Sequence, residues 1–310
     1  MSSWRAKALN KVLYRAIRGR LERCNDILSV RGVIAGLDKL NSYIGIPGGL
    51  EWVDDSLSGV PCQWIVKGRP AGDSVLLYFH GGGFCFRSPQ VHSAMLHYLS
   101  RETRSRGVMV SYRLAPEFPF PAALNDCFTA YRTLLEQGVP PEKIILGGDS
   151  AGGNLALATM VKCKDKGLPQ PLAALLFSPA LDLTMNSQSA FVMRNEDPFF
   201  DLGSLMLLRN SYLNGHTPCD PLASPLGADL SDLAPIMVHA GSLEILLDDS
   251  VRLKSKVRRQ GGVADLTIWP GLPHVFTLFQ QLPEAKEAME RCGRFIDQCR
   301  QNSVAGSGED

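Results

Sequence analysis

Ser150 sits in Gly148-Asp149-Ser150-Ala151-Gly152, after the apolar run at 143–148 and before the helical pattern at 151–165. A serine hydroxyl is a weak nucleophile near neutral pH and needs a base within hydrogen-bond reach. G-x-S-x-G at a strand-to-helix junction has the spacing of a nucleophile elbow, where side chains must be absent for the two backbones to approach. The amino end of the following helix also favours negative charge developing there. Six histidines are available as the base: 80, 92, 97, 216, 239 and 274. His239 falls inside an apolar strand run, His92 and His97 in a helical pattern, and His216 in a long insertion. His80 adjoins a glycine run that it can brace. His274, in WPGLPHVF after the last strand pattern, alone comes late enough for the order nucleophile, acid, base. The acid should lie in the loop after the preceding strand, where HAGSLEILLDDS offers Glu244, Asp248 and Asp249. Asp248 and Asp249 fall in the first turn of a helix, where carboxylates act as caps. Glu244 lies in the loop itself and is the expected partner that orients the imidazole.

Acyl transfer also needs amide donors for the oxyanion. The glycine run in FHGGGFCF (79–86) follows the first core strand, and Gly82, Gly83 and Ala151 are the expected donors. The run lacks the GKS/GKT or GxGxxG spacing of a phosphate loop. Phe84, Phe86 and Phe276 are the expected substrate-binding residues. Phe199, Phe200, Met185, Met193 and Met206 are further candidates for an apolar pocket.

The elements that must hold these residues follow from an alternation of apolar runs and helical patterns. Strands are expected at 74–80, 107–113, 143–149, 173–179, 235–241 and 265–270. Helices are expected at 91–104, 121–137, 151–165, 248–260 and 283–300. Continuously apolar strands imply a mostly parallel, doubly wound sheet with helices on both faces. The interval 181–234 is longer than a crossover helix requires and rich in Met, Phe, Leu and Pro. It leaves the sheet on the side where open α/β sheets bind ligands. Residues 1–45 and 181–234 are thus expected to form a small helical cap over a catalytic domain made of 46–180 and 235–300. A disordered tail is expected at 301–310.

Composition narrows the classes of partner. The 310 residues carry a net charge of +1, so the balance implies no nucleic acid or other charged partner. Eight cysteines without CxxC pairs or Cys/His clusters argue against zinc and against a disulfide framework, and suit a cytoplasmic protein. No metal or organic cofactor is expected. The first 23 residues hold seven Lys/Arg and one acid, with Trp4, Leu9, Val12, Leu13, Ile17 and Leu21 at near-helical spacing. This reads as an amphipathic helix lying on the protein body, without stable membrane insertion. A homodimer is left open.

With these pieces in order, the chain resembles the hormone-sensitive-lipase family of α/β hydrolases, particularly its bacterial carboxylesterases. HGGGF (80–84) and GDSAGGN (148–154) match two of its signatures, YRLAPEFPFPAAL (112–124) and SPALDL (178–183) two more, and LPHVF (272–276) its histidine loop. The resemblance covers roughly 74–300. Many members read Asp-Pro-Leu-x-Asp at the acid site; here the frame is kept with Glu244 in the first place and Asp248 in the last. The resemblance implies an α/β-hydrolase fold and a serine carboxylesterase working through an acyl-enzyme on a small-molecule ester. Acyl chains of roughly two to eight carbons are expected, because each buried methylene adds about 0.8 kcal/mol until the pocket ends. Amide or lactone hydrolysis by the same triad is an alternative. So is a ligand-binding receptor of the gibberellin type, which the retained His274 disfavours.

Overall fold

The computed structural model describes residues 2–41, 51–67 and 72–306. Eight strands form one sheet: β1 (Glu51–Leu57), β2 (Val60–Lys67), β3 (Ser74–Phe79), β4 (Ser105–Val110), β5 (Ile144–Asp149), β6 (Ala173–Phe177), β7 (Ile236–Gly241) and β8 (Ala264–Trp269). Their order is β1-β2-β4-β3-β5-β6-β7-β8. Strands β3 to β8 are parallel to one another; β1 and β2 are antiparallel additions at one edge, β2 pairing with β4. The six expected strands are these parallel ones. The β1–β2 hairpin was not expected, because β1 is mostly exposed and polar and has no apolar run to mark it. Its two-residue turn, Ser58-Gly59, has both φ angles positive, which matches the twist of a tight hairpin.

Successive residues of a strand face opposite sides. Along β3, Val75, Leu77 and Phe79 join one core cluster, and Leu76 and Tyr78 join the other. Both faces are therefore covered. The helices begin with α1 (Trp4–Leu13), a π-helical turn at Tyr14–Arg18, α2 (Gly19–Leu21) and α3 (Ile27–Asn41). They continue with α4 (Pro89–Glu102), α5 (Ala122–Glu136), α6 (Ala151–Asp165), α7 (Gln188–Val192), α8 (Leu202–Leu213), α9 (Leu247–Arg259) and α10 (Pro283–Gly306). Residues of α5, α6 and α9 pack in the first cluster, and residues of α4 and α10 in the second.

Three expectations are corrected. The last helix continues to Gly306, so 301–306 are helical where a disordered tail was expected, and 307–310 lie outside the described residues. Trp4 and Val12 are exposed, so the buried stripe of the N-terminal helix runs through Ala6, Leu13, Ile17 and Leu21. Tyr14–Arg18 is wound as a π-helix, so the stripe does not follow one 3.6-residue period. The boundary at 45/46 lies outside the described residues. No described helix is long and apolar enough to cross a membrane.

Candidate active site

The turn between β5 and α6 is a single residue. Ser150 has φ 51° and ψ −117°, a conformation costly for a residue with a side chain. It is held by its own amide donating to the Phe177 carbonyl at 2.9 Å, while its carbonyl accepts from Ala180 N at 3.1 Å. The flanking glycines explain themselves here. A Cβ on Gly148 would lie 2.3 Å from the Gly152 carbonyl oxygen, and one on Gly152 would lie 1.9 Å from that of Phe79. Any side chain at either place would push the elbow apart.

His274 arrives from the loop after β8. Its Nε2 lies 3.0 Å from Ser150 Oγ and its Nδ1 2.8 Å from Glu244 Oε2. The ring is buried and the carboxylate fully so. Burial draws the imidazole pKa down. The Glu244 hydrogen bond and charge, with Asp197 and Asp149 behind them, outweigh burial and hold it above its ordinary value. Glu244 Oε1 accepts from Ser178 Oγ at 2.9 Å and from the Gly241 amide, which leaves Oε2 aimed at the ring. The two aspartates go elsewhere. Asp248 Oδ2 accepts from Ser189 N at 2.8 Å, and Asp249 Oδ2 accepts from Leu181 N and Asp182 N at 2.7 and 3.0 Å.

Four of the other five histidines have structural partners. His80 stacks on Tyr112 (ring centroids 4.3 Å apart), whose hydroxyl donates to the His80 carbonyl. Burial drives His80 down to about 3, and His239, which accepts from Trp269 Nε1, likewise to about 3. Both stay neutral. His92 meets Asp149, and His216 meets Asp220.

In the glycine run, the Gly82 carbonyl turns inward and accepts from Cys85 N and Phe86 N at 3.0 and 3.1 Å. Gly82 has φ 120°, and a Cβ there would lie 2.0 Å from the Phe86 carbonyl oxygen. Among the described residues, neither the Gly82 nor the Gly83 amide donates to a backbone carbonyl. The Ala151 amide belongs to the first turn of α6, whose donors have no partner within the helix. Among the described residues, the amides of Gly82, Gly83 and Ala151 thus have no main-chain acceptor. Asp149 fixes the run from below: its Oδ1 accepts from Gly81 N at 2.9 Å and from Tyr78 OH at 2.8 Å.

Two cavities meet at Ser150. An apolar cleft of about 330 Å³ reaches His274 and is walled by Leu9, Leu13, Ile34, Phe86, Phe199 and Phe279 among others. A recess of about 30 Å³ opens beside Gly83 and Ala151 and is walled by Phe84, Leu183, Met185, Leu205 and Leu208. Phe200 borders both. Of the expected substrate-binding residues, Phe84 and Phe86 line these spaces and Phe276 does not. Phe276 turns into a core cluster against Trp269, with ring centroids 5.4 Å apart, because Val275 adopts φ 46° and redirects the chain. Val275, Leu278 and Phe279 face the cleft from that loop instead. Met185 lines the recess, while Met193 and Met206 pack behind it around Ile245 and Leu246.

Sequence reasoning missed three residues. Ser178 Oγ donates to Glu244 and accepts from Val275 N at 3.0 Å, linking the acid to the histidine loop. Asp197 is buried and accepts from Ile245 N, Phe199 N and Phe200 N at 3.0, 2.8 and 3.1 Å. Arg18 is buried too; it donates to the carbonyls of Asp197, Phe200 and Arg194. A small polar residue just past a strand's carboxyl end was the available signal for Ser178. The other two had none.

The family model described as alpha/beta hydrolase fold matches residues 76–278. An acetyl-hydrolase of Streptomyces hygroscopicus is 37% identical over 235 residues, 76% of this chain and 78% of that protein. An esterase of Acinetobacter venetianus is 36% identical over 241 residues, 77% and 79% of the two chains. The crystal structure of an esterase from the bacterial hormone-sensitive lipase family superposes with a TM-score of 0.89 at 34% identity, covering 97% of this chain and 99% of that one. By these matches, the chain belongs to the hormone-sensitive-lipase family of α/β hydrolases.

Proposed function

We propose that the chain is a carboxylic ester hydrolase whose nucleophile is Ser150, whose base is His274 and whose acid is Glu244. The observation that carries this reading is the continuous contact from Ser150 Oγ to His274 Nε2 at 3.0 Å and from His274 Nδ1 to Glu244 at 2.8 Å. Ser150 Oγ attacks the ester carbonyl carbon as its proton passes to His274 Nε2. The carbonyl oxygen, now an anion, takes hydrogen bonds from the amides of Gly82, Gly83 and Ala151, donors of a kind worth about 10²–10³ in rate each. His274 returns the proton to the alcohol oxygen as the C–O bond breaks, leaving an acyl-serine. Water then gives its proton to the same nitrogen, attacks the acyl carbon, and frees the carboxylic acid and the serine. Glu244 holds the ring with Nδ1 protonated and stabilises the imidazolium formed twice per cycle.

The described residues of the N-terminal helices (4–41) and of 181–234 serve as the cap over a catalytic domain whose described parts run over 51–67, 72–180 and 235–300. Acyl chains are short to medium, since packed core residues close the recess beside Ala151. All eight cysteines are free thiols, which supports a cytoplasmic location. The deciding experiment pairs Ser150→Ala with a fluorophosphonate probe. The variant should fold normally and lose about 10⁴–10⁶ in turnover of p-nitrophenyl acetate, as removal of a triad member does. The wild type should carry the phosphonate on Ser150 in a peptide map. Substantial activity in the variant, or an adduct on another residue, overturns the assignment.

A further inference from the structure

The N-terminal helix has two distinct sides. Its inward side carries Leu9, Leu13 and Ile17 onto the wall of the apolar cleft that ends at Ser150. Its outward side carries Trp4, Lys7, Ala8, Lys11, Val12 and Arg15, which recur every three or four residues and are all exposed. Ala6, Leu13, Ile17 and Leu21 already tie the helix to the body, so its folding does not account for Trp4 standing 75% exposed and Val12 60% exposed. Val12 belongs to both sides, since it lies on the rim of the cleft as well as on the outward face. We infer that this face docks on an anionic lipid surface and holds the mouth of the cleft against it. The inference goes beyond the ester-hydrolase reading and rests on it only for what the cleft takes from the lipid.

The charge distribution matches such a partner. The first 23 residues carry seven Lys/Arg and one acid, whereas the whole chain is only +1, so the rest of the molecule is net negative. A protein polarised in this way turns its basic end toward an anionic surface and its remainder away from it. Arg5, Lys7, Lys11, Arg15, Arg20 and Arg23 are exposed. Among the described residues, none of these six forms an ion pair. The one acid of the segment, Glu22, is taken by the buried Arg18 at 2.8 Å. Of the neighbouring acids, Glu284 accepts from the Ser3 amide at 2.6 Å, and Glu196 shares a shallow hollow with Lys11 and Arg15. Each base close to an anionic leaflet adds about fivefold in affinity, the ratio that corresponds to about 1 kcal/mol.

The apolar members of the face decide between polyanions. An indole settles at the headgroup level, where its ring is buried and its N–H stays wet. The Arg5 guanidinium lies 5.7 Å over the Trp4 ring, so charge and ring meet the surface together. A nucleic acid would neutralise the bases but gives an exposed valine on the lip of an apolar cleft nothing to enter. A second copy of this chain presenting the same face would meet like charges. A lipid leaflet answers each feature: headgroup phosphates for the bases, the interfacial zone for Trp4 and Val12, and an apolar phase from which an ester passes into the cleft without crossing water. Because the helix spends its buried stripe on the protein, few side chains beyond these two enter the leaflet. Binding is therefore shallow, reversible and sensitive to salt.

The test uses the full chain and co-sedimentation with vesicles of phosphatidylcholine, with or without about 30% phosphatidylglycerol. Binding should be about tenfold or more tighter on the anionic vesicles and should fall about tenfold between about 0.1 and 0.5 M salt. Lys7→Glu together with Lys11→Glu should weaken it at least about 25-fold, the loss of two bases at about fivefold each. That variant should hydrolyse soluble p-nitrophenyl acetate within about twofold of wild type, which shows that it is folded. Brominated phosphatidylcholine in the anionic vesicles should quench the wild-type tryptophan fluorescence, and the quenching should vanish in Trp4→Phe, which keeps Trp52, Trp64 and Trp269. No binding to the anionic vesicles, equal binding to neutral ones, binding unmoved by the double substitution, or quenching that survives Trp4→Phe overturns the inference. So does retention on duplex DNA as tight as on the vesicles, or a dimer that the double substitution dissolves. All of these leave the hydrolase reading standing. Vesicle binding without cleavage of any ester would instead overturn that reading and leave the docking in place.

Discussion

The floor of the site and its cover are built by different means. The floor is made of loops leaving β5, β6, β7 and β8, tied by main-chain bonds to neighbouring strands or loops. Ser150 N reaches the end of β6, Ser178 N reaches β7, and Ser242 N reaches the end of β8. The parallel register of the sheet thus sets where Ser150, Glu244 and His274 stand. The cover has no such register. The N-terminal helices and the 194–200 segment meet through the side chain of Arg18 and three backbone carbonyls, and Asp197 joins that segment to the acid loop at Ile245. On the proposed function, backbone geometry would carry the chemistry, and a few side chains that touch across long stretches of sequence would carry substrate choice. Damage to the floor should therefore appear in kcat, and damage to the cover in KM and selectivity.

The largest break in the floor short of the nucleophile is Glu244→Gln. An amide can donate to His274 Nδ1, which leaves the proton on Nε2, where it cannot accept from Ser150. A loss of about 10³–10⁴ in kcat is expected, in line with the same change in other triads. Asp248→Asn, at a carboxylate that accepts from the amide of Ser189, should stay within about threefold of wild type. The pH profile sharpens the assignment. Only neutral His274 can accept a proton, so kcat/KM rises with pH through the histidine pKa. In the wild type that midpoint should lie above the ordinary 6.5, because the carboxylates outweigh burial. In Glu244→Gln the residual activity should show a midpoint moved downward, since burial then acts with less opposition. An unmoved midpoint would separate Glu244 from the titrating histidine.

This division also explains what the sequence made legible. The elbow could be read because its cause is local: two glycines, a serine, and a strand and helix whose patterns flank them. His274 and Glu244 followed from chain order, because parallel strands deliver their loops to one edge in sequence. The β1–β2 hairpin stayed hidden because a polar edge strand lacks the doubly buried apolar run that marked the others. Phe276 was misplaced because proximity to His274 in sequence does not survive the left-handed turn at Val275. Ser178, Asp197 and Arg18 make hydrogen bonds to partners as far as 97, 48 and 182 residues away, and no local pattern encodes such pairings.

Ser178→Ala is the intermediate case, because it loosens the floor without removing a reacting group. It withdraws the hydroxyl from Glu244 Oε1 and leaves the buried Val275 amide without its acceptor. An unsatisfied buried group costs about 1–3 kcal/mol, or about 5- to 150-fold. The expected result is kcat lowered about 10- to 100-fold, KM within about twofold, and slower fluorophosphonate labelling of Ser150 in the same proportion. A fall in thermal stability with kcat and labelling rate preserved would reduce Ser178 to a packing role.

The smallest expected effect lies in the cover, at Arg18→Met. The substitution keeps the buried stem and removes the guanidinium that donates to the carbonyls of Asp197, Phe200 and Arg194 and pairs with Glu22 at 2.8 Å. Hydrogen bonds from a charged donor are worth about 1.5–3 kcal/mol each when intact. The segment is not held by Arg18 alone, because Asp197 still accepts from the amides of Ile245, Phe199 and Phe200. Only part of that energy should therefore reach the substrate. KM for an apolar acetate should rise about three- to tenfold as Phe199 and Phe200 lose their fixed place on the cleft wall, with kcat within about twofold. Arg18→Lys should fall between, since an ammonium keeps the charge but cannot fork to several carbonyls. If kcat collapsed while KM held, Arg18 would be supporting the triad rather than the cleft, and the separation of floor from cover would fail at the residue that joins them.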